Sequence, residues 1–289
     1  MEVYSNKDEK AKPILEKISK YTQQVEAMQL PYWVFAQNSN PIGIVVVGKE
    51  PMQLLAPPGT PMALVHLIAQ QQPKEDIAEF AFKALNLVTE KNVEYALVTL
   101  SMKEEEALKQ FRKIKFQGLD DAYKMTCQLD KPFKPSSELS FKQVQKEEMR
   151  QFIKVAKEFL QGSPDVTLTI ALEHFSELPD DFLNLYHTME KFYFAKKNQQ
   201  TIGILNLNPT KGLISNIGVD PKERGRGYGK QIMLFGLEQL RKSGCKQAYL
   251  RVHVENKAAI HLYESLGFVK AERYQMLIWR KSDKSHKKS

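Results

Sequence analysis

The chain has little to staple it and no stretch long and apolar enough to span a bilayer. Only two of its 289 residues are cysteine, Cys127 and Cys245. One widely separated pair makes neither a disulfide framework nor a CxxC metal clip, so no metal is expected and a reducing compartment fits. No apolar run approaches the roughly 20 residues that cross a membrane. The segment Met1 to Asp8 lacks the apolar stretch of a secretory leader. A cytoplasmic location with no membrane contact is therefore the expectation. Hydrophobic residues are 42% and charged residues 26% of the chain, which excludes a disordered chain and leaves enough apolar material for a core.

Lys and Arg exceed Asp and Glu, giving a net charge of +8. Half of that excess sits at the end, in Arg280, Lys281, Lys284, Lys287 and Lys288 set against Asp283. Residues 281–289 read as a basic, disordered, solubilising tail. Contact with nucleic acid would need an aromatic-basic interleave that is missing. The opposite bias runs from Glu158 to Glu190, where Asp165, Glu173, Glu177, Asp180 and Asp181 also fall and no Lys or Arg does. It reads either as a solvated helical face or as a wall that attracts a cationic partner.

Residues 8–28 have helical periodicity, followed by a hairpin of Tyr32–Ala36 and Ile42–Val47. A strand at 63–68, a helix at 74–90, a strand at 95–100, a helix at 104–114 and a strand near 122–129 complete a first set. Residues 132–137 (Pro-Phe-Lys-Pro-Ser-Ser) read as a linker. Beyond them the order returns. Ile42-Gly43-Ile44 matches Ile202-Gly203-Ile204, and from Leu67 to Phe116 the halves run in register at an offset of 152. Phe80 falls on Ile232, Leu85 on Leu237, Val98 on Leu250 and Phe116 on Phe268. The shared order and apolar register predict a tandem duplication of one α/β unit.

The chemistry concentrates in the second copy. A strand, Leu213–Val219, runs into Asp220-Pro-Lys-Glu-Arg-Gly-Arg-Gly-Tyr-Gly-Lys230 and then a helix. Strand, glycine-rich turn and helix make an anion site: glycines allow positive φ, and the first helical N–H groups and the helix dipole face the ligand. Arg224, Arg226 and Lys230 add positive charge. The spacing fits neither a P-loop nor a dinucleotide fingerprint. Further on, Asn256 is followed by Ala258-Ala259, Tyr263 and Gly267-Phe268.

The pattern Arg224-x-x-Gly227-x-Gly229, joined to Asn-x-Ala-Ala-x-x-x-Tyr-x-x-x-Gly-Phe, resembles the GNAT superfamily of N-acetyltransferases. The resemblance covers about 138–280; over 30–130 it is architectural only. It implies two tandem GNAT-like domains, 1–131 and 138–280. Each would be an α/β unit with a mixed, mostly antiparallel sheet flanked by helices and a splayed parallel strand pair. It further implies acetyl-CoA as co-substrate, held between strands 213–219 and 248–254. The pantetheine arm would pair with the backbone around Ile217, Gly218 and Val219. The pyrophosphate would meet Arg224, Gly225, Arg226, Gly227, Tyr228, Gly229 and Lys230. Asn256 would hold the cofactor near its thiol, or cap its helix, or both. Tyr263 would be the general acid that protonates the leaving thiolate.

Some relatives place a Glu where this chain has Arg251, and no carboxylate occurs from Thr201 through Val219. His253, Glu173 and Asp220 stay open as bases, as does a water chain. The acceptor would enter over 150–190, the acidic stretch, which suits a cationic small molecule or a protein amine. In the first copy Gly227 becomes Glu75, Gly229 becomes Ile77, Asn256 becomes Glu104 and Tyr263 becomes Phe111. The first copy is expected to keep the fold without binding acyl-CoA, and the chain to act as a monomeric internal pseudo-dimer. The alternative is an acyl-CoA-binding regulator or scaffold without turnover.

Overall fold

The computed structural model describes residues 1–51, 53–68, 73–174 and 177–281. All of the expected basic tail except Lys281 lies outside the described residues. The chain divides into two compact units, one of Met1–Asp121 with the segment from Tyr274 onward, the other of Ala122–Arg273. No helix among the described residues is long and apolar enough to cross a membrane.

The first unit runs β1 (Glu2–Ser5), α1 (Lys12–Lys17), α2 (Ser19–Ala27), β2 (Tyr32–Gln37), β3 (Asn40–Lys49), β4 (Pro61–Leu67), α3 (Lys74–Glu90), β5 (Tyr95–Ser101) and α4 (Glu105–Lys113). Next comes β6 (Gln117–Gln128), which passes from the first unit into the second. The second unit continues with β7 (Ser140–Gln143), α5 (Met149–Phe159), α6 (Val166–His174), α7 (Asp180–Met189), β8 (Lys191–Lys197) and β9 (Gln200–Asn208). It ends with β10 (Leu213–Val219), α8 (Tyr228–Lys242), β11 (Gln247–His253), α9 (Lys257–Ser265) and β12 (Val269–Arg280). From β4 onward the two series coincide at the offset of 152: β4 with β10, β5 with β11, α4 with α9 and β6 with β12. The duplication read from apolar register is thus repeated element by element.

Each sheet is mixed and mostly antiparallel. In the first unit β1 to β4 pair antiparallel in sequence order, and β4 pairs parallel with β5. In the second, β7 to β10 pair antiparallel and β10 meets β11 in parallel. Beyond the parallel pair each sheet takes a strand that the sequence supplies from the other half. Residues 274–280 of β12 pair with β5, and residues 122–128 of β6 pair with β11. The linear division at 131 and 138 therefore differs from the compact units. The 132–137 segment is not a free tether either. Phe133 is buried, its N–H donates to Glu238 Oε2 at 3.1 Å, and Ser136 N–H donates to Gln231 Oε1 at 2.6 Å.

The cores follow from helical spacing. Ile77, Phe80, Ala81, Ala84, Leu87 and Val88 line the buried face of α3; Ile232, Met233, Gly236, Leu237 and Leu240 line that of α8. Fully burying each large apolar side chain contributes about 1.5–3 kcal/mol. The repeated Ile-Gly-Ile sits beneath these helices. A Cβ at Gly43 would lie 2.2 Å from the Phe80 ring, and one at Gly203 would lie 2.4 Å from Ile232 Cδ1. Glycine at both positions lets the helix seat on the sheet.

Candidate active site

The site lies wholly in the second unit and begins with a defect in β10. Its register with β9 shifts between Ile214 and Asn216, so Ser215 is the extra residue of a bulge. Against β11, β10 holds only the Leu213–Tyr249 pairing and then parts from it. A cleft of about 1030 Å³ opens between the diverging strands. Its wall includes Asn216 to Val219, the glycine-rich turn, Leu250 to His253, Asn256 and Tyr263.

In the turn, Gly225 and Gly227 have φ of 79° and 83°, and nothing lies within 4 Å of a Cβ built on either. Backbone conformation, not crowding, demands glycine here. Gly227 caps α8 without a side-chain hydrogen bond, and the first bonded N–H is that of Lys230, to Gly227 C=O at 3.1 Å. The N–H groups of Gly225 to Gly229 find no acceptor among the described residues. They form a cluster of donors at the positive end of a fifteen-residue helix, able to hold a pyrophosphate.

The charged residues of this turn divide their roles. Arg224 is held by carbonyl groups: Nε donates to Val219 O at 3.2 Å, and Nη2 donates to Phe159 O at 2.9 Å and Gln161 O at 3.4 Å. It ties the turn to the end of α5. Arg226 pairs with Glu223 at 3.0 Å. Lys230 is exposed on the cleft wall. Tyr228 is buried; its hydroxyl donates to Glu138 Oε1 at 3.1 Å and accepts from Lys197 Nζ, which pins the start of α8.

At the other end, Asn256 Oδ1 caps α9 by accepting the N–H of Ala259 at 3.2 Å. Asn256 also lines the cleft, so capping and contact with a ligand are compatible. Tyr263 is buried among Ile260, Phe268 and the core, and its hydroxyl has no hydrogen-bond partner among the described residues. Burial pushes its pKa up to about 12, so the phenol keeps its proton across the neutral range.

The open candidates for a base fare differently. Arg251 turns toward Asp165 and pairs with it at the cleft wall. Asp165 Oδ1 also accepts from Thr167 Oγ1 at 2.7 Å and Leu168 N–H at 2.9 Å, opening α6. His253 Nδ1 accepts the N–H of Glu255 at 3.1 Å, so the neutral ring carries its proton on Nε2. Asp220 caps its own turn through Lys222 N–H at 2.9 Å. Glu173 is exposed and off the cleft wall.

The acidic stretch does not form one wall. Asp180 pairs with Arg150 at 2.7 Å and Glu177 with His174 at 3.5 Å. Asp165 reaches the cleft, and Glu190 accepts from Ser215 Oγ at 2.7 Å. Sequence reading missed Ser215 and the Asp165–Arg251 pair; the lack of bases from 158 to 190 was the only signal near them.

The first unit repeats the elements without the cleft's geometry. Pairing of β4 with β5 holds from Met62–Tyr95 to Val65–Val98, and β3 with β4 runs without a register shift. The parallel pair expected to splay in both copies stays paired here over four consecutive residues, against one in the second unit. Glu75 and Asp76 occupy the first turn of α3, and Glu104 Oε2 accepts the N–H of Ser101 at 2.7 Å. Phe111 is fully buried between Phe80 and Phe116.

Residues 149–268 match the model of the acetyltransferase (GNAT) family. A mycothiol acetyltransferase of Thermobispora bispora is 41% identical over 83 residues, 29% of this chain and 27% of that protein. One of Streptosporangium roseum is 48% identical over 59 residues, 20% and 18% of the two chains. The match thus spans about a quarter or less of these relatives. Among solved structures, a tandem GNAT protein from the clavulanic acid biosynthesis pathway overlays with a TM-score of 0.62 at 15% identity, over 98% of this chain and 100% of that one. A GCN5-related N-acetyltransferase from Sphaerobacter thermophilus gives 0.63 at 14%, over 92% and 85%. The cleft and its turn thus lie within residues 149–268, which match the acetyltransferase (GNAT) family, and the strand order of the chain is a fold shared with solved GNAT proteins, a tandem one among them.

Proposed function

We propose that the protein is an acyl-CoA-dependent N-acyltransferase that moves an acetyl group from acetyl-CoA to a primary amine. One observation carries the reading: the parting of β10 from β11 opens a cleft that holds both the N–H groups of the turn and the hydroxyl of Tyr263, none of them with a partner among the described residues. The turn would take the pyrophosphate of acetyl-CoA, and the edges of β10 and β11 would flank its pantetheine arm. The amine attacks the thioester carbon directly. A C–N bond forms, the C–S bond breaks, and the thiolate sulfur takes the phenolic proton of Tyr263. A phenol held protonated by burial suits that role. The acceptor is an amine, cationic in bulk solution, on a small molecule or a protein; the similarity to mycothiol acetyltransferases favours the small molecule.

The first unit takes no acyl-CoA in this reading, and the chain acts as a monomer. Its parallel strands stay paired, the start of α3 carries two carboxylates, and Phe111 replaces the acid. The second reading, a binding protein without turnover, draws on Arg251 standing where a base is found in some relatives. Calorimetric titration with acetyl-CoA tests the site. One site per chain is expected, followed by CoA release in the presence of amines. Two sites would refute the silence of the first unit, and no binding would refute the proposal.

A further inference from the structure

The proposed transfer needs a proton acceptor. An ammonium group has no lone pair for attack, and neither β10 nor β11 brings a carboxylate to the cleft. The strongest candidate comes from the junction of α7 and β8. Glu190 closes α7, and its carboxylate is held from both sides. Oε1 accepts from Ser215 Oγ at 2.7 Å, and Oε2 accepts from Asn206 Nδ2 at 2.5 Å. No Lys or Arg pairs with Glu190 among the described residues. Its negative charge also bears on two phenols packed around it. Tyr186 on α7 and Tyr249 on β11 are both raised above the usual tyrosine range, by burial first and by Glu190 second.

Ser215 makes this carboxylate relevant to the cleft. It is the bulged residue of β10, next to the point where β10 leaves β11, and it lines the cleft. Because its hydroxyl hydrogen points to Glu190, its oxygen lone pairs are free to accept. The partner arrangement is rigid. Asn206 is 1% exposed, and its amide must turn its nitrogen toward the carboxylate, because the reverse would set oxygen against oxygen. That leaves Asn206 Oδ1 buried without a donor, beside a void of about 20 Å³ lined also by Tyr186 and Asn216. The void has room for one water, which would supply the missing donor.

We propose that Glu190, acting through Ser215, is the proton acceptor that readies the amine for attack, an inference that rests on the acyltransferase reading above. The ammonium gives one proton to Ser215 Oγ as the seryl proton passes to Glu190, leaving a neutral amine, an unchanged serine and a carboxylic acid. After the C–N bond forms, the nitrogen releases its surplus proton to solvent. The sulfur takes a proton from Tyr263, which is reprotonated from solvent, and Glu190 returns its proton to solvent. One proton is released per transfer. Glu190 is thus a positioning and relay residue, and Ser215 is the group that meets the acceptor.

The test compares two kinds of acceptor at pH 7 with acetyl-CoA as donor: hydroxylamine, which is already neutral, and the best acceptor from a panel of strongly basic primary amines, which are protonated. In Glu190→Gln the rate with the basic amine is expected to fall about 10²-fold or more, the usual contribution of a positioned base. The rate with hydroxylamine and the affinity for acetyl-CoA by calorimetry should stay near wild type. Ser215→Ala should show the same selective loss, and Glu190→Asp should recover part of it. Equal losses with both acceptors, or none with either, would overturn the relay. Wild-type protein that binds acetyl-CoA but transfers to neither acceptor would refute the acyltransferase reading, and the relay would fall with it.

Discussion

The exchange of strands predicts where this chain can be cut. A fragment of residues 138–280 follows the apparent linear domain but lacks the segment that borders β11. In the intact protein Ala122 to Gln128 pair with β11 from Gln247 to His253. Ala122, Met125, Cys127 and Leu129 are each at most 5% exposed, and the last three belong to the core beneath α8. Fully burying Met and Leu contributes about 1.5–3 kcal/mol each, and the smaller Ala and Cys about 1 kcal/mol each. The missing segment is therefore worth about 6 kcal/mol, within reach of the whole 5–15 kcal/mol of a typical domain. Its loss also bares the hydrogen-bonding edge of β11, a template for association. A fragment of residues 122–273 keeps the strand and the entire cleft. Urea unfolding followed by circular dichroism, with size-exclusion chromatography, separates the cases. The 122–273 fragment should unfold in one cooperative transition and bind acetyl-CoA. The 138–280 fragment should be unfolded or associated, or have a midpoint lower by about 3 M, given a slope near 2 kcal/mol/M. A monomeric 138–280 fragment with a midpoint within 1 M of the longer one would refute the assignment of residues 122–128 to the second unit.

Tyr263→Phe should lower kcat by about 10²- to 10⁴-fold with little change in acetyl-CoA affinity; unchanged turnover would remove the acid. Because burial raises the tyrosine to about 12, the wild-type rate should show no loss from this group until pH rises toward that value, and an alkaline limb near neutrality would have to belong to another residue. Gly227→Ala should cost about 1–2 kcal/mol of stability, since its φ of 83° suits glycine while no neighbour crowds the position. Gly227→Glu adds a carboxylate where the anion should sit, so acetyl-CoA binding measured by calorimetry should be lost beyond the loss in Gly227→Ala; equal binding by the two variants would show that the phosphate loop lies elsewhere.

Local signals in the sequence served well where structure is local. Apolar spacing placed α3 and α8, and the offset of 152 recovered the element order from β4 onward. The glycine-rich turn was legible because positive φ leaves a residue-level mark at Gly225 and Gly227. The strand exchange left no such mark. Sequence alone places a strand near 122–129 and names none over 269–280, and which sheet receives these segments depends on partners more than a hundred residues away. Arg224 shows the same limit. Its type and place fit a phosphate ligand, yet carbonyl groups of Phe159 and Gln161, set by the end of α5, occupy its guanidinium. Charge counting over the acidic stretch likewise could not separate Asp180, neutralised by Arg150, from Glu190, which reaches the cleft only through Ser215.

The two copies part company in backbone register as much as in side chains. In the second unit the bulge at Ser215 turns β10 away from β11 after one pairing, and the space released becomes the cleft. In the first, the equivalent residue is Ala63, which is fully buried and paired in sequence with Val47 on one side and Ala96 on the other. With β4 and β5 paired from Met62–Tyr95 to Val65–Val98, no gap like that beside Ser215 opens at this position. Phe111 then packs where a phenol would have no polar task. Glu75 and Asp76 favour the α3 dipole directly, as side chains that need no bound anion. The differences between the copies are therefore consistent with one another: Ala63, Glu75, Asp76 and Phe111 each suit a paired, packed unit without calling on a bound group.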